Sequence, residues 1–120
     1  MTTTSRLRFV IDIDGVICKE IGDNTFENVR NAVLIQDAKE AVNGLYNSGN
    51  TVVLYTARRW NLFEDTKKWL DDNGVLYHTL LCGKPASNVW IDDRAFRFTD
   101  WKDILEKIKA VEDDDLDGRQ

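Results

Sequence analysis

Phe9-Val10-Ile11-Asp12-Ile13-Asp14-Gly15-Val16 is the stretch on which the fold turns: an apolar run that ends in two aspartates one residue apart and a glycine. A strand that is apolar on both faces belongs in the middle of a covered parallel sheet, and such sheets bind ligands at their carboxyl edge. Asp12 and Asp14 stand at that edge. Side chains at i and i+2 of a strand share a face, while a chain turning at Gly15 can offer one carboxylate and one backbone carbonyl to a single hard cation. Alone, the segment equally describes a strand that ends in a solvated Asp-x-Asp-Gly turn.

The flanking chain decides between these readings. Ala38, Ala41, Val42 and Leu45 recur at helical spacing over residues 37–47, and Gly49 supplies the left-handed position after the last turn. Residues 51–56 form a second apolar strand. Asn61 and Glu64 then make a variant capping box for a helix whose Leu62, Thr66, Trp69 and Leu70 share a face until Gly74. A third strand is expected over residues 76–81 and a fourth over 88–91. Asp100 is placed to cap a last helix that turns Trp101, Ile104, Leu105 and Ile108 to one side. Between the first strand and first helix, Lys19-Glu20-Ile21, a Gly22-Asp23-Asn24 turn and Thr25-Phe26-Glu27 read as a hairpin beside the aspartates. Strands alternating with helices predict an α/β fold with a parallel sheet, right-handed crossovers and helices on both faces. The expectation is a single domain over residues 1–120, ending in a frayed acidic tail from Glu112.

Charge and cysteine usage narrow the function. The net charge of −5 gives no general basic field for nucleic acid, although a local patch stays open. Cys18 and Cys82 are far apart and form no Cys-x-x-Cys pair, so they are read as buried or half-buried free thiols in a reducing compartment. The first residues lack the apolar run of a signal peptide and no stretch approaches a membrane span, so a cytoplasmic protein with no membrane partner is expected.

Polar residues collect where every expected strand ends: Asp12 and Asp14, Thr56, Lys84, and Asp92 with Asp93. Four carboxylates facing one lysine either raise each other's pKa strongly or need a cation; a divalent metal satisfies this without neutralising the acids, and an all-oxygen donor set suits Mg²⁺, whereas zinc would want His or Cys. His78 falls within a strand and is read as structural or surface. With Mg²⁺ present, Asp12 can attack phosphorus as a nucleophile. Asp14 then protonates the leaving oxygen and activates water, Thr56 donates to the phosphoryl oxygens, and Lys84 offsets charge. Ala57, Arg58 and Arg59 follow the hydroxyl and are the candidate substrate-binding residues, through backbone N–H groups and a guanidinium able to grip a second anionic group. Both arginines equally suit ordinary surface charges at a helix start. Trp90, Trp69 and Trp101 are expected in the core, while Trp60 and Phe26 are candidates for a substrate-facing wall.

Asp12-Ile13-Asp14-Gly15-Val16, the Thr56-Ala57-Arg58 triplet, Lys84 before Pro85 and the Asp92-Asp93 pair resemble motifs one to four of the haloacid dehalogenase superfamily, in chain order. The resemblance spans about residues 7–98. It implies a Rossmann-like three-layer sandwich with the first strand central, in strand order 4-1-2-3. It also implies an aspartyl-phosphate on Asp12 and Mg²⁺ held by Asp12, the Asp14 carbonyl and Asp92, with Asp93 orienting the metal's waters or Lys84. The second aspartate argues for a phosphatase, since dehalogenase members lack it, and the Gly22-Asp23-Asn24 segment matches the family's flap. Neither interval between motifs has room for a cap domain. Capless relatives act on macromolecules or close the site with a partner subunit, which makes a homo-oligomer one expectation. The wording around Thr56, Trp69-Leu70, Gly83-Lys84-Pro85 and Ile91-Asp92-Asp93-Arg94 is similar to small capless phosphatases linked to bacterial polysaccharide synthesis. The reading is therefore a Mg²⁺-dependent phosphomonoester hydrolase for a small phosphorylated metabolite, a sugar phosphate or a nucleotide. Its alternatives are a phosphatase of nucleic-acid ends or phosphoproteins, and a non-catalytic phosphate- or metal-binding module.

Overall fold

The computed structural model describes residues 6–118, so the chain start on which the leader expectation rests, residues 1–5, lies outside the described residues. Strand β1 (Arg8–Asp12) pairs in parallel with β2 (Thr51–Tyr55), which pairs in parallel with β3 (Thr79–Leu81), giving the order β1-β2-β3. Helix α1 (Phe26–Arg30) and helix α2 (Ala38–Asn47) separate the first two strands. A 3₁₀ turn over Trp60–Leu62 leads into α3 (Phe63–Asp72), and α4 (Trp101–Gly118) closes the described chain.

The apolar periodicities select these elements. Ala38, Ala41, Val42 and Leu45 of α2 are buried, as are Leu62, Thr66, Trp69 and Leu70 around α3 and Trp101, Ile104 and Ile108 of α4. They join Ile11, Ile13, Val52, Leu54 and Leu80 in one apolar cluster. Leu105, expected on the same face of α4, is exposed instead. Asp100 Oδ1 accepts the Asp103 N–H at 2.8 Å, the expected cap. Asn50 ties the front of the sheet together: its Oδ1 accepts the Leu7 N–H and its Nδ2 donates to the Leu45 carbonyl. Two expected tryptophans, Trp69 and Trp101, are indeed core residues.

Several expectations differ from the structure. The order 4-1-2-3 is not formed, because residues 88–91 make no strand and β1 is an edge, with Val10 61% exposed. Only residues 82–87 separate β3 from this segment, whereas a parallel crossover takes a dozen or more residues and usually a helix. Trp90, expected in the core, is accordingly exposed, and Ile91 is 95% exposed. The hairpin is replaced by α1: Thr25 caps it by accepting the Asn28 N–H at 3.1 Å, and Asn28 donates back to the Asp23 carbonyl at 2.8 Å. A side-chain cap at each end of the turn outweighs two short strands with no third to pack on. Asn61 does not cap α3, being held inside the 3₁₀ turn. The acidic run from Glu112 is part of α4, which extends to Gly118. No helix among the described residues is long and apolar enough to cross a membrane.

Candidate active site

At the carboxyl end of β1 the chain coils tightly. The Ile13 carbonyl accepts the N–H groups of Val16, Ile17 and Cys18 at 2.8 to 3.1 Å, and Gly15 donates to the Cys18 carbonyl at 2.8 Å. This turn needs φ +84° at residue 15, a value glycine adopts without a Cβ penalty. Ile13 and Ile17 are buried anchors, so the loop presents Asp12 and Asp14 from a fixed base. The ends of β2 and β3 are laced to each other in turn. The Thr56 N–H donates to the Leu81 carbonyl, the Lys84 N–H to the Thr56 carbonyl, and the Gly83 N–H to the Arg58 carbonyl, at 2.8 to 2.9 Å.

These backbones converge four side chains named from sequence. Lys84 Nζ lies 3.4 Å from Asp12 Oδ2, and its ammonium also faces the rings of Tyr55 and Trp90 at 5.6 and 5.1 Å. Asp12 Oδ1 accepts the Ile13 N–H at 2.8 Å. Thr56 Oγ1 donates to Asp14 Oδ2 across 3.4 Å while accepting the Arg58 N–H at 3.1 Å. Asp12 and Asp14, with Ala57 and Arg58, line a cavity of about 270 Å³ together with Glu20, Ile21, Gly22 and Asn24. The segment around Gly22 and Asn24 thus borders the aspartates without forming a hairpin. A second cavity of about 310 Å³, between α2 and α4, holds none of the strand-end residues.

Arg58 departs from both readings of it. It is neither a surface charge nor an open anion grip: the guanidinium is buried and forks onto Asp14, with Nε 3.0 Å from Oδ2 and Nη2 2.7 Å from Oδ1. Arg59 is exposed. Trp60 is exposed and stacked on Phe63, its Nε1 close above Gly83, and Phe26 is exposed as well.

Asp92 and Asp93 are not brought to this group. They lie on the exposed segment beyond residue 91, where Asp92 Oδ1 accepts the Arg94 N–H and Asp93 faces the Arg94 guanidinium at 3.8 Å. Among the described residues no three His, Cys, Asp or Glu side chains gather closely enough to hold a metal. The donors that are gathered still suit a hard ion. Asp12 and Asp14 supply oxygen only, and Mg²⁺ is usually bound through one or two carboxylates, its remaining positions filled by water and phosphate oxygens. His78 serves elsewhere, accepting the Val52 N–H on Nδ1. Cys18 is a buried thiol, pushed up to about 12 by burial and then by the Asp14 carboxylate.

Sequence reasoning missed Thr66 and Cys18 as partners of this group. Thr66 Oγ1 accepts from Arg58 Nη1 at 3.0 Å, and Cys18 Sγ stands 3.5 Å from both Asp14 Oδ1 and Arg58 Nη2. A threonine on the apolar face of α3 was the available signal, because a polar group there requires a buried partner.

No protein-family model and no curated protein matches the sequence. Among solved structures, a structural-genomics target from Vibrio cholerae superposes with a TM-score of 0.66 at 26% identity, over 90% of this chain and 98% of that one. A Pnkp1/Rnl/Hen1 complex matches at a TM-score of 0.55 and 22% identity, over 76% of this chain and 32% of that one. The fold is of the haloacid dehalogenase type. The segments that resemble the first three motifs lie at the ends of β1, β2 and β3. A second structure, of the Pnkp1/Rnl/Hen1 RNA repair complex, gives a TM-score of 0.54 at 17% identity, covering 91% of this chain and 32% of that one. The chain thus spans about a third of the two repair-complex chains, and nearly all of the Vibrio one.

Proposed function

We propose that the chain is a Mg²⁺-dependent phosphomonoester hydrolase acting on a small phosphorylated metabolite such as a sugar phosphate or nucleotide. The observation that carries this reading is the pairing of Lys84 with Asp12 at 3.4 Å, beside an Asp14 that Thr56 reaches from the next strand. A nucleophile, an acid/base, a hydroxyl donor and a cation come together at three strand ends. The adjoining cavity, about 270 Å³, suits a small ligand.

The Asp12 carboxylate attacks phosphorus, the bond from phosphorus to the ester oxygen breaks, and Asp14 delivers a proton to the departing oxygen. Water then attacks the aspartyl-phosphate, Asp14 takes its proton, and phosphate leaves with Asp12 regenerated. Asp12 and the Asp14 carbonyl would hold Mg²⁺, which lowers the repulsion between an anionic nucleophile and an anionic phosphoryl group. Asp92 and Asp93 would join only if their segment moved to the sheet edge. Lys84 balances charge that builds on the phosphoryl oxygens.

Thr56 has a further part in this scheme. Its 3.4 Å reach to Asp14 is long for a hydroxyl donor, whose usual distance is about 2.7–2.8 Å. A phosphoryl oxygen competes readily for that hydrogen, and its departure frees a lone pair of Asp14 Oδ2 for the proton that Asp14 must carry.

The test is phosphate release from sugar phosphates, nucleotides and phosphorylated oligonucleotides, with Mg²⁺ and with EDTA. Release from a metabolite class that needs Mg²⁺ and disappears in Asp12→Asn supports the proposal. Release confined to oligonucleotide ends moves the substrate to nucleic acid, and a folded protein that releases none is not this enzyme.

A further inference from the structure

Arg58 is the only fully buried charged residue among those described, at 1% exposure, although its neighbour Arg59 is exposed. Its guanidinium makes four hydrogen bonds to three partners: two to Asp14, one to Thr66 Oγ1 and one to Cys18 Sγ. Its own N–H is held by Thr56 Oγ1 and its carbonyl accepts from Gly83. Both ends of the residue are therefore fixed, one on the strand ends and the other on α3.

We infer that Arg58 is a positioning residue for Asp14, and that it does not bind the substrate; the inference rests on the hydrolase reading above. A planar fork meeting both carboxylate oxygens fixes the carboxylate in rotation as well as in place, which a lysine ammonium cannot do. The guanidinium faces inward, onto Thr66 and Cys18, so a second anionic group of the substrate would have to displace Asp14 to reach it. Displacing Asp14 would leave a buried cation and a loosened acid/base, a costly exchange away from water. Thr66 extends the same support: its hydroxyl orients the guanidinium that in turn orients Asp14.

The consequence is a split between kinetic constants. A group that grips substrate in the ground state changes KM, whereas one that aligns the proton donor changes kcat. Arg58→Ala is expected to lower kcat about 100-fold, the order of loss for a misplaced catalytic group. KM should stay within about 3-fold of wild type. Methylguanidinium added to Arg58→Ala should restore part of kcat, and Thr66→Val should lower kcat by a smaller factor at unchanged KM. Where Arg58→Ala fails to fold, Arg58→Lys reads the same split, because it keeps charge and loses the fork.

A rise in KM with kcat retained would overturn the inference and return Arg58 to the substrate. Thermal melts of Arg58→Lys, Asp14→Asn and the double variant give a readout independent of turnover. Tm losses that fail to add support the pair, and additive losses overturn it, even if the wild-type protein releases no phosphate and the hydrolase reading itself is lost.

Discussion

The indole Nε1 of Trp101, at the first turn of α4, donates to the Val16 carbonyl at 2.9 Å, so the last helix clamps the loop that carries Asp14. Trp101 is buried and meets Phe98 edge to face. Trp101→Phe keeps most of the ring but leaves that carbonyl without its donor, and should cost about 1–3 kcal/mol. Urea unfolding measures the loss. Turnover should fall as well, since the loop is released while the aspartates themselves are untouched.

Asp12→Asn removes the nucleophilic charge at nearly constant shape. Phosphate release should drop to background while Tm stays within a few degrees, because Asp12 is partly exposed and its Oδ1 contact to the Ile13 N–H survives with an amide oxygen. Release at the wild-type rate would exclude an aspartyl-phosphate on this residue.

Lys84→Ala leaves Asp12 facing the phosphoryl group without a cation. Turnover should fall about 10²–10³-fold, the usual loss for one electrostatic stabiliser of a transition state. The contacts of Lys84 with Tyr55 and Trp90 should also be lost, seen as a change in tryptophan fluorescence.

Cys18 makes stability depend on alkaline pH. Its thiol is raised from 9.0 to about 12, first by burial and next by Asp14. Between those values the unfolded chain has released a proton that the folded chain keeps. The stabilisation is therefore complete below pH 9 and declines as pH rises toward 12. Tm of the wild type should fall more steeply than that of Cys18→Ala over this range, and the native thiol should resist alkylation at neutral pH.

Asn50→Ala tests the other end of the sheet. The substitution leaves the Leu7 N–H without its acceptor and opens a buried space beneath α2, at an expected cost of about 1–3 kcal/mol. Denaturant titration reads it. Activity should be spared, since the amide contacts the chain ahead of β1 and the end of α2.

The legible elements were those whose signal is local. Periodicity marked α2 and α3, the caps at Asp100 and Gly49 bounded their elements, and apolar runs marked β1 and β2. Asp12, Asp14, Thr56 and Lys84 could be grouped because parallel strands must put their ends at one edge. Turn residues and a helix cap look alike in sequence: Thr25 stands three residues before Asn28, whose N–H it accepts, so a segment whose local pattern suits a strand is a capped helix.

By itself the sequence determined which residues could carry charge, bend the chain or hide from water, since these are properties of single side chains and their spacing. It therefore settled the alternation from β1 through α2, β2 and α3 to β3, and the polar residues that follow these three strands. Only the tertiary structure decided that Arg58 turns inward to Asp14, that Trp101 holds Val16, and that residues 88–91 stay off β1. Each depends on a partner 40 or more positions away or on the length of a connection, and no local pattern encodes where such a partner will lie.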